Sequence, residues 1–192
     1  KVIFFRDQDI GLEDQKRAGL WFGPLEVHPL VAPDQPNAEL IRIEEDDVKR
    51  AHNDIWHSDV TFKESPPLGS ILRAREIPPV GGDTMFADMY AAYEGLDEQT
   101  KSRVDNATAV HDFHGFRRGM RARGVPEAEI DKYKLKFPPR EHPVVRTHPQ
   151  TGRRSLFVNA AFTTHIVGLP KTESDALLAV LYSQARIPEY QC

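Results

Sequence analysis

The chain is expected to be mainly β, an antiparallel sandwich or open barrel with appended helices. Three observations predict this: short runs that alternate apolar and polar residues, Pro- and Gly-rich breakers between them, and few segments of helical periodicity. At 192 residues, one domain with a sizeable buried core is the simplest organisation.

The elements follow in order. "KVIFFRD" at the start reads as a strand, and "LEDQKRAGLWFG" as a short helix ended by Gly23. "AELIRIEED" alternates and reads as a strand, followed by the charged loop "DDVKRAHND". "SDVTF", "GSILRARE" and "DTMFAD" are further strands, separated by "SPPLG" and "IPPVGG". "YAAYEGLDEQTKSRVDN" is helical and "ATAVHDF" returns to strand. Residues 114–140 are basic, glycine-containing and without clear period, which predicts a surface excursion or lid. "HPVVRTHPQTGRRSLFVN" predicts a hairpin about "PQTGR", and "TESDALLAVLYSQAR" an amphipathic helix with a Thr172-x-x-Asp175 capping box.

Composition removes several function classes. The net charge is −4, which gives no electrostatic case for nucleic acid. No apolar run approaches the roughly 20 residues of a membrane span. The single cysteine, Cys192, excludes an intrachain disulfide and a cysteine-based zinc site, so a cytoplasmic setting is expected. The chain begins inside an apolar run and ends just after a helix where another strand is expected, which reads as part of a longer polypeptide.

One stretch, "RAHNDIWHSDVTF", carries two His-x-acid frames, His52/Asp54 and His57/Asp59. The first ends a charged run without alternation and reads as solvated loop. In the second, Trp56, Ser58, Val60 and Phe62 would form one face of a strand, with His57, Asp59 and Thr61 on the other. Imidazole and carboxylate on one face suit Fe(II), and two histidines with one carboxylate leave three coordination positions open. On the triplet alone, an exposed or hydrogen-bonded strand pair is the favoured reading over a metal site.

The residues around it are more specific. "NDIWHSDVTFKESPPLGSILRAREIPPVGGDTMFAD" resembles the taurine dioxygenase family of Fe(II)/2-oxoglutarate-dependent oxygenases, with its W-H-x-D-x-[ST]-F core, P-P-x-x-x-[IVL]-L run and G-G-D-T turn. "FFRDQDI", "FGPLEVHP" and "HPVVRTHPQTGRRSLFVNAAFTTHI" match it too, in the family's order along essentially the whole chain. The resemblance implies a double-stranded β-helix (jelly-roll/cupin-like) core, incomplete in this chain, and a single oxygenase domain over residues 1–192 that lacks its C-terminal strands and part of its N-terminus.

It further implies site roles. His57 and Asp59 are two of three iron ligands, and Thr84 hydrogen-bonds the 2-oxoglutarate carboxylate. His28, Asn53 and Phe162 match positions lining the substrate pocket; a loop histidine, a turn former and a core ring are their structural alternatives. Three residues after the pocket histidine the taurine enzymes carry tyrosine, and here stands Val31, which implies a larger or more apolar substrate than taurine. The family's third ligand, a histidine, and its 2-oxoglutarate arginine lie beyond the segment that matches here. His111, His114, His142, His148 and His165 match positions that supply no ligand.

The implied reaction is O2- and 2-oxoglutarate-dependent hydroxylation of a small anionic substrate, a sulfonate or alkyl sulfate ester, giving succinate, CO2 and an unstable product. An aryloxyalkanoate substrate, a metal-dependent hydrolase and a non-catalytic jelly roll are the competing readings. No nucleic-acid or membrane partner is expected, and a homo-oligomer is allowed.

Overall fold

The computed structural model describes the chain except for Lys1, Pro33 and residues 45–54. It forms two compact units, Lys1–Asn53 with Pro67–Asp83, and Asp54–Pro66 with Thr84–Cys192.

The first unit is built around helix α1, Leu12–Leu20. Its N-terminus is closed by the Asp14 carboxylate, which accepts the Gly11 N–H at 2.8 Å. Arg17 pairs with Asp14 at 2.7 Å, as neighbours three apart on a helix can. Gln15 Nε2 donates to the Ile71 carbonyl at 3.1 Å and ties α1 to the 67–83 segment. Gly19 lies close to Leu25, whose terminal methyl would have to shift to admit a Cβ 2.6 Å away. The helix ends at Leu20, short of Gly23.

The strands expected over "KVIFFRD", "AELIRIEED" and "GSILRARE" are not formed among the described residues, where these segments run without a ladder. Alternation marks a side chain's preferred face, but a strand also requires a partner for its backbone N–H and C=O groups. Phe5, Ile43 and Leu72 of these segments are accordingly exposed.

The second unit holds the sheets. Strand β1 (Thr108–His111) lies between β2 (Arg140–Pro143) and β5 (Thr163–Ile166), antiparallel to both. The pairing sets Ala109 opposite His142 on one side and Ile166 on the other, with an irregularity between Val110 and His111. The expected hairpin is present as β3 (Val145–Thr147) and β4 (Arg154–Leu156). Its turn is closed by His148 N–H to the Arg153 carbonyl at 2.8 Å, with Gly152 at φ 68°. "DTMFAD" contributes a single bridge, Ala87 to Gln191, where Phe86 and Cys192 exchange both backbone bonds.

The helix expected over "YAAYEGLDEQTKSRVDN" is two: α2 (Met89–Glu94), capped by Asp88, and α3 (Glu98–Val104), capped by Asp97. Each cap carboxylate accepts a free backbone N–H of the first turn. Helix α6 (Lys171–Gln184) matches expectation in extent but not in its start. Pro170 is its N-cap, and Asp175 pairs with Lys171 at 2.5 Å, so the Thr172 box does not form. Ser174 instead accepts the Ile166 N–H at 2.8 Å and pins α6 to β5. Leu177, Leu178 and Leu181 of α6 pack with Ala92, Val104 and Ile166 in the main core.

The largest correction concerns residues 114–140. They fold as helices α4 (His114–Ala122) and α5 (Glu127–Lys136), followed by β2. Phe113, Phe116 and Met120 recur at helical spacing, as do Ile130, Tyr133 and Phe137, and both stripes pack into a second core with Val60, Phe62 and Phe162. Gly115 and Gly119 weaken the helical signal by propensity, and the aromatic stripe overrides them. Among the described residues helix therefore occupies more of the chain than strand. Sheets with appended helices are observed, in proportions different from those expected.

Candidate metal centre

The His57/Asp59 frame is brought together by a turn, not by a strand. Residues 58–62 were expected to alternate, but Val60, Thr61 and Phe62 are consecutively buried while His57, Ser58 and Asp59 are exposed. The cause is Val60, whose φ of 44° lies in the left-handed region. A β-branched residue there is an outlier, and it reverses the chain once, giving an exposed half and a buried half. The Val60 carbonyl accepts the Lys63 N–H at 3.0 Å and closes the turn.

The result places His57 Nε2 3.3 Å from Asp59 Oδ1. His57 Nδ1 is 2.7 Å from the Ile55 carbonyl oxygen. A carbonyl can only accept, so Nδ1 carries the hydrogen and a neutral ring turns its Nε2 lone pair toward the Asp59 carboxylate. Two lone-pair donors at that distance need a cation between them. The His57 pKa is raised, chiefly by its hydrogen bond to Asp59, against the opposing effect of burial and with help from Ile55. An imidazole nitrogen and a carboxylate oxygen are also donors that Fe(II) or Mn(II) accepts. The pair thus fits two positions of such an ion's coordination shell. Among the described residues no group of three or more metal-ligating side chains gathers.

Behind the turn lies a buried polar network that the sequence did not reveal. Thr61, expected beside the ligands on an open face, is 1% exposed. Its Oγ1 is 2.8 Å from His111 Nδ1 and accepts from Asn159 Nδ2 at 3.2 Å. His111, fully buried on β1, has Nε2 3.4 Å from Thr163 Oγ1. Burial, with the nearby His142 ring, pushes the His111 pKa down to about 4. His142, on β2, places Nε2 2.9 Å from the Lys63 carbonyl and meets the His111 ring edge-on at 5.2 Å. The one available signal was the period of "ATAVHDF", in which His111 shares a face with the buried Ala109.

The other expected site residues are placed individually. Thr84 is exposed, on the segment leading to the Phe86–Cys192 bonds. Gly81 and Gly82, expected in a tight turn, have φ of 78° and 73°, which glycine adopts without penalty. His28, in the first unit, is half-buried and its Nδ1 accepts the Leu30 N–H at 3.2 Å, so Nε2 carries the ring hydrogen. Phe162 is buried, its ring 5.2 Å from Phe62 and 5.9 Å from Phe116. Asn53, like His52 and Asp54, lies outside the described residues.

A cleft of about 310 Å³ opens beside Phe62, with Lys63, Lys136 and Arg140 in its wall. His57 and Asp59 do not line it. Burial and then the Lys136 charge lower the Lys63 pKa.

Comparisons with known proteins show what the chain is similar to. The alkylsulfatase of Acinetobacter baylyi is 36% identical over 194 residues, covering 98% of this chain and 60% of its own length. The alpha-ketoglutarate-dependent sulfate ester dioxygenase of Pseudomonas putida is 35% identical over 187 residues, covering 94% and 60%. The crystal structure of AAD-2 in complex with Mn(II) and N-oxalylglycine matches with a TM-score of 0.69 and 30% identity, over 98% of this chain and 66% of that one. The chain thus spans less than two thirds of the length of each of these relatives. The profile of the family described as "Taurine catabolism dioxygenase TauD, TfdA family" matches residues 1–192, and the chain belongs to that family.

Proposed function

We propose that this chain is the metal- and substrate-binding part of an Fe(II)- and 2-oxoglutarate-dependent dioxygenase that hydroxylates a small anionic substrate, a sulfonate or an alkyl sulfate ester. The observation that carries the reading is the convergence of His57 Nε2 and Asp59 Oδ1 at 3.3 Å, in a chain of this family. In this reading the sheets belong to a double-stranded β-helix core, and residues 1–192 are one oxygenase domain together with sequence that supplies the third ligand and a 2-oxoglutarate arginine. We place the protein in the cytoplasm. No helix among the described residues is long and apolar enough to cross a membrane.

Iron, when bound, supplies the O2 chemistry that couples decarboxylation of 2-oxoglutarate to C–H hydroxylation. The chain's own residues have defined parts. His57 donates Nδ1–H to the Ile55 carbonyl, which fixes its tautomer and leaves Nε2 as the donor atom. Asp59 contributes charge that offsets the cation. The Thr84 hydroxyl donates to the far carboxylate of 2-oxoglutarate. His28 presents a ring N–H, and Asn53 an amide, to the anionic group of the substrate, whose three acceptor oxygens need donors. Phe162 closes the apolar side, from its place among the buried rings. Val31, where a phenol would add a donor, leaves room for a longer alkyl chain. Orientation of one C–H bond is the protein's main contribution, and misplacement by an ångström is costly. Hydroxylation of the carbon bearing oxygen or sulfur gives a product that releases aldehyde with sulfate or sulfite.

The test is substrate-dependent succinate formation by the native-length protein with Fe(II), 2-oxoglutarate and O2. Alkyl sulfates and sulfonates are expected to stimulate turnover over background. Stimulation by aryloxyacetates alone reassigns the substrate, and hydrolysis without succinate replaces the reading with a metal hydrolase.

A further inference from the structure

We propose that the two buried histidines of the sheet, His111 and His142, are positioning residues: they clamp residues 61–63 and thereby hold the His57–Asp59 turn in its metal-binding form. The inference rests on the reading of His57 and Asp59 as ligands and adds residues that reading does not contain.

The argument is a proton account. Asn159 Oδ1 accepts two backbone N–H groups, from Ala161 at 3.2 Å and Phe162 at 3.0 Å. Its amide orientation is therefore set, and Nδ2 must donate to Thr61 Oγ1. Thr61 keeps its own hydrogen to give, and we assign it to His111 Nδ1, at 2.8 Å. In this assignment His111 is neutral with its hydrogen on Nε2, facing Thr163 Oγ1. Burial that disfavours the imidazolium agrees with this state.

The second histidine closes the other end. The Lys63 carbonyl can only accept, so His142 donates from Nε2. His111 and His142 sit on paired strands, a rigid mounting for a site. Between the two clamped residues Phe62 is buried among four phenyl rings, the nearest at 4.9 Å. Immediately before them stands Val60 at its left-handed φ, and before that Asp59. A strained residue persists only where its surroundings over-determine it, and the clamp is what surrounds this one. Removing the Thr61 hydroxyl takes one partner from His111 Nδ1 and one from Asn159 Nδ2 and frees the turn to relax, which separates the two ligands.

The experiment compares Thr61→Val, which keeps shape and removes the hydroxyl, with Thr61→Ser, which keeps it, and with His57→Ala. Co(II) alone is titrated into the metal-free native-length protein and followed by its absorption bands, with folding checked by circular dichroism. Thr61→Val is expected to weaken Co(II) binding about 10- to 100-fold, the range for residues that orient metal ligands. Thr61→Ser is expected to retain near-native affinity. If Thr61→Val does not fold, Thr61→Ala against Thr61→Ser provides the same comparison. Equal affinity in the folded hydroxyl-free variant and wild type overturns the clamp, while loss in His57→Ala keeps the ligand reading intact. Undiminished binding in His57→Ala removes the ligand reading and the clamp's purpose with it. Nitrogen-15 NMR of the wild-type protein is an independent check: protonated Nδ1 on His111 at neutral pH also overturns the account.

Discussion

Acid should destabilise this fold through His111 specifically. The side chain is fully buried and its pKa is lowered to about 4 by burial and the neighbouring His142 ring. In the unfolded chain it returns to about 6.5. Between these values the unfolded state binds the proton and the folded state does not, so stability is complete above the unfolded pKa and falls as pH drops toward the folded one. A gap of roughly 2.5 units at 1.36 kcal/mol each amounts to about 3 kcal/mol, a large share of a typical domain's 5–15 kcal/mol. The comparison protein is His111→Asn, whose amide oxygen can accept the Thr61 hydroxyl and does not titrate. Urea denaturation of both at several pH values from 7 to 4 gives the quantity of interest, the difference in unfolding free energy. Contributions from other groups, including the oppositely signed one from His57, cancel in that difference. The wild type is expected to lose about 3 kcal/mol relative to the variant over this range. A difference that stays constant within about 0.5 kcal/mol refutes the reasoning, since His111 would then be protonated in place or solvated.

The Asp112–Arg117 pair is bidentate at 2.7 and 2.8 Å, and its side chains are 14% and 12% exposed. Asp112→Ala should therefore cost about 3 kcal/mol by denaturant titration, because it strands a nearly buried guanidinium; a change under 1 kcal/mol shows that water replaces the partner. Phe62→Ala should cost about 3–5 kcal/mol, read as an earlier urea midpoint with the slope unchanged. The raised pKa of His57 means that metal binding must displace a proton, so Mn(II) affinity, followed by electron paramagnetic resonance, should increase from pH 6 to 8 and vanish in Asp59→Ala. A flat profile would place the metal elsewhere.

Legibility in the sequence followed the range of the interactions involved. Helices α1 and α6 and the β3–β4 hairpin carry their determinants within a few residues, as periodicity or as a turn with glycine at positive φ, and each was expected where it is found. Strands such as "GSILRARE" depend on a ladder partner from elsewhere in the chain, and alternation alone says nothing of that partner. The α4–α5 segment was hidden for a different reason. Its glycines and charges obscured two aromatic stripes whose value comes from packing on Phe62 and Phe162, residues distant in sequence. At the site, the pairing of His57 with Asp59 was legible and its backbone was not. Thr61 was counted among the exposed polar residues because strict alternation puts it there, and one left-handed residue, Val60, breaks that count.

That break explains why the site sits where it does. Within residues 57–62 the chain passes from the exposed His57 and Asp59 to Phe62, buried among four phenyl rings. Holding Val60 in a left-handed conformation costs about 1–2 kcal/mol. Burying Phe62 against Phe113, Phe137 and Phe162 contributes about 1.5–3 kcal/mol, and the edge-to-face contacts at 4.9, 5.6 and 5.2 Å add to it. The ring's burial therefore exceeds the turn's strain by a small margin, and the Thr61 and Lys63 hydrogen bonds widen it. A ligand turn balanced this closely is set by the core beneath it. Substitutions among the phenyl rings should consequently alter metal affinity as well as stability, whereas those on the exposed faces of α4 and α5 should alter neither.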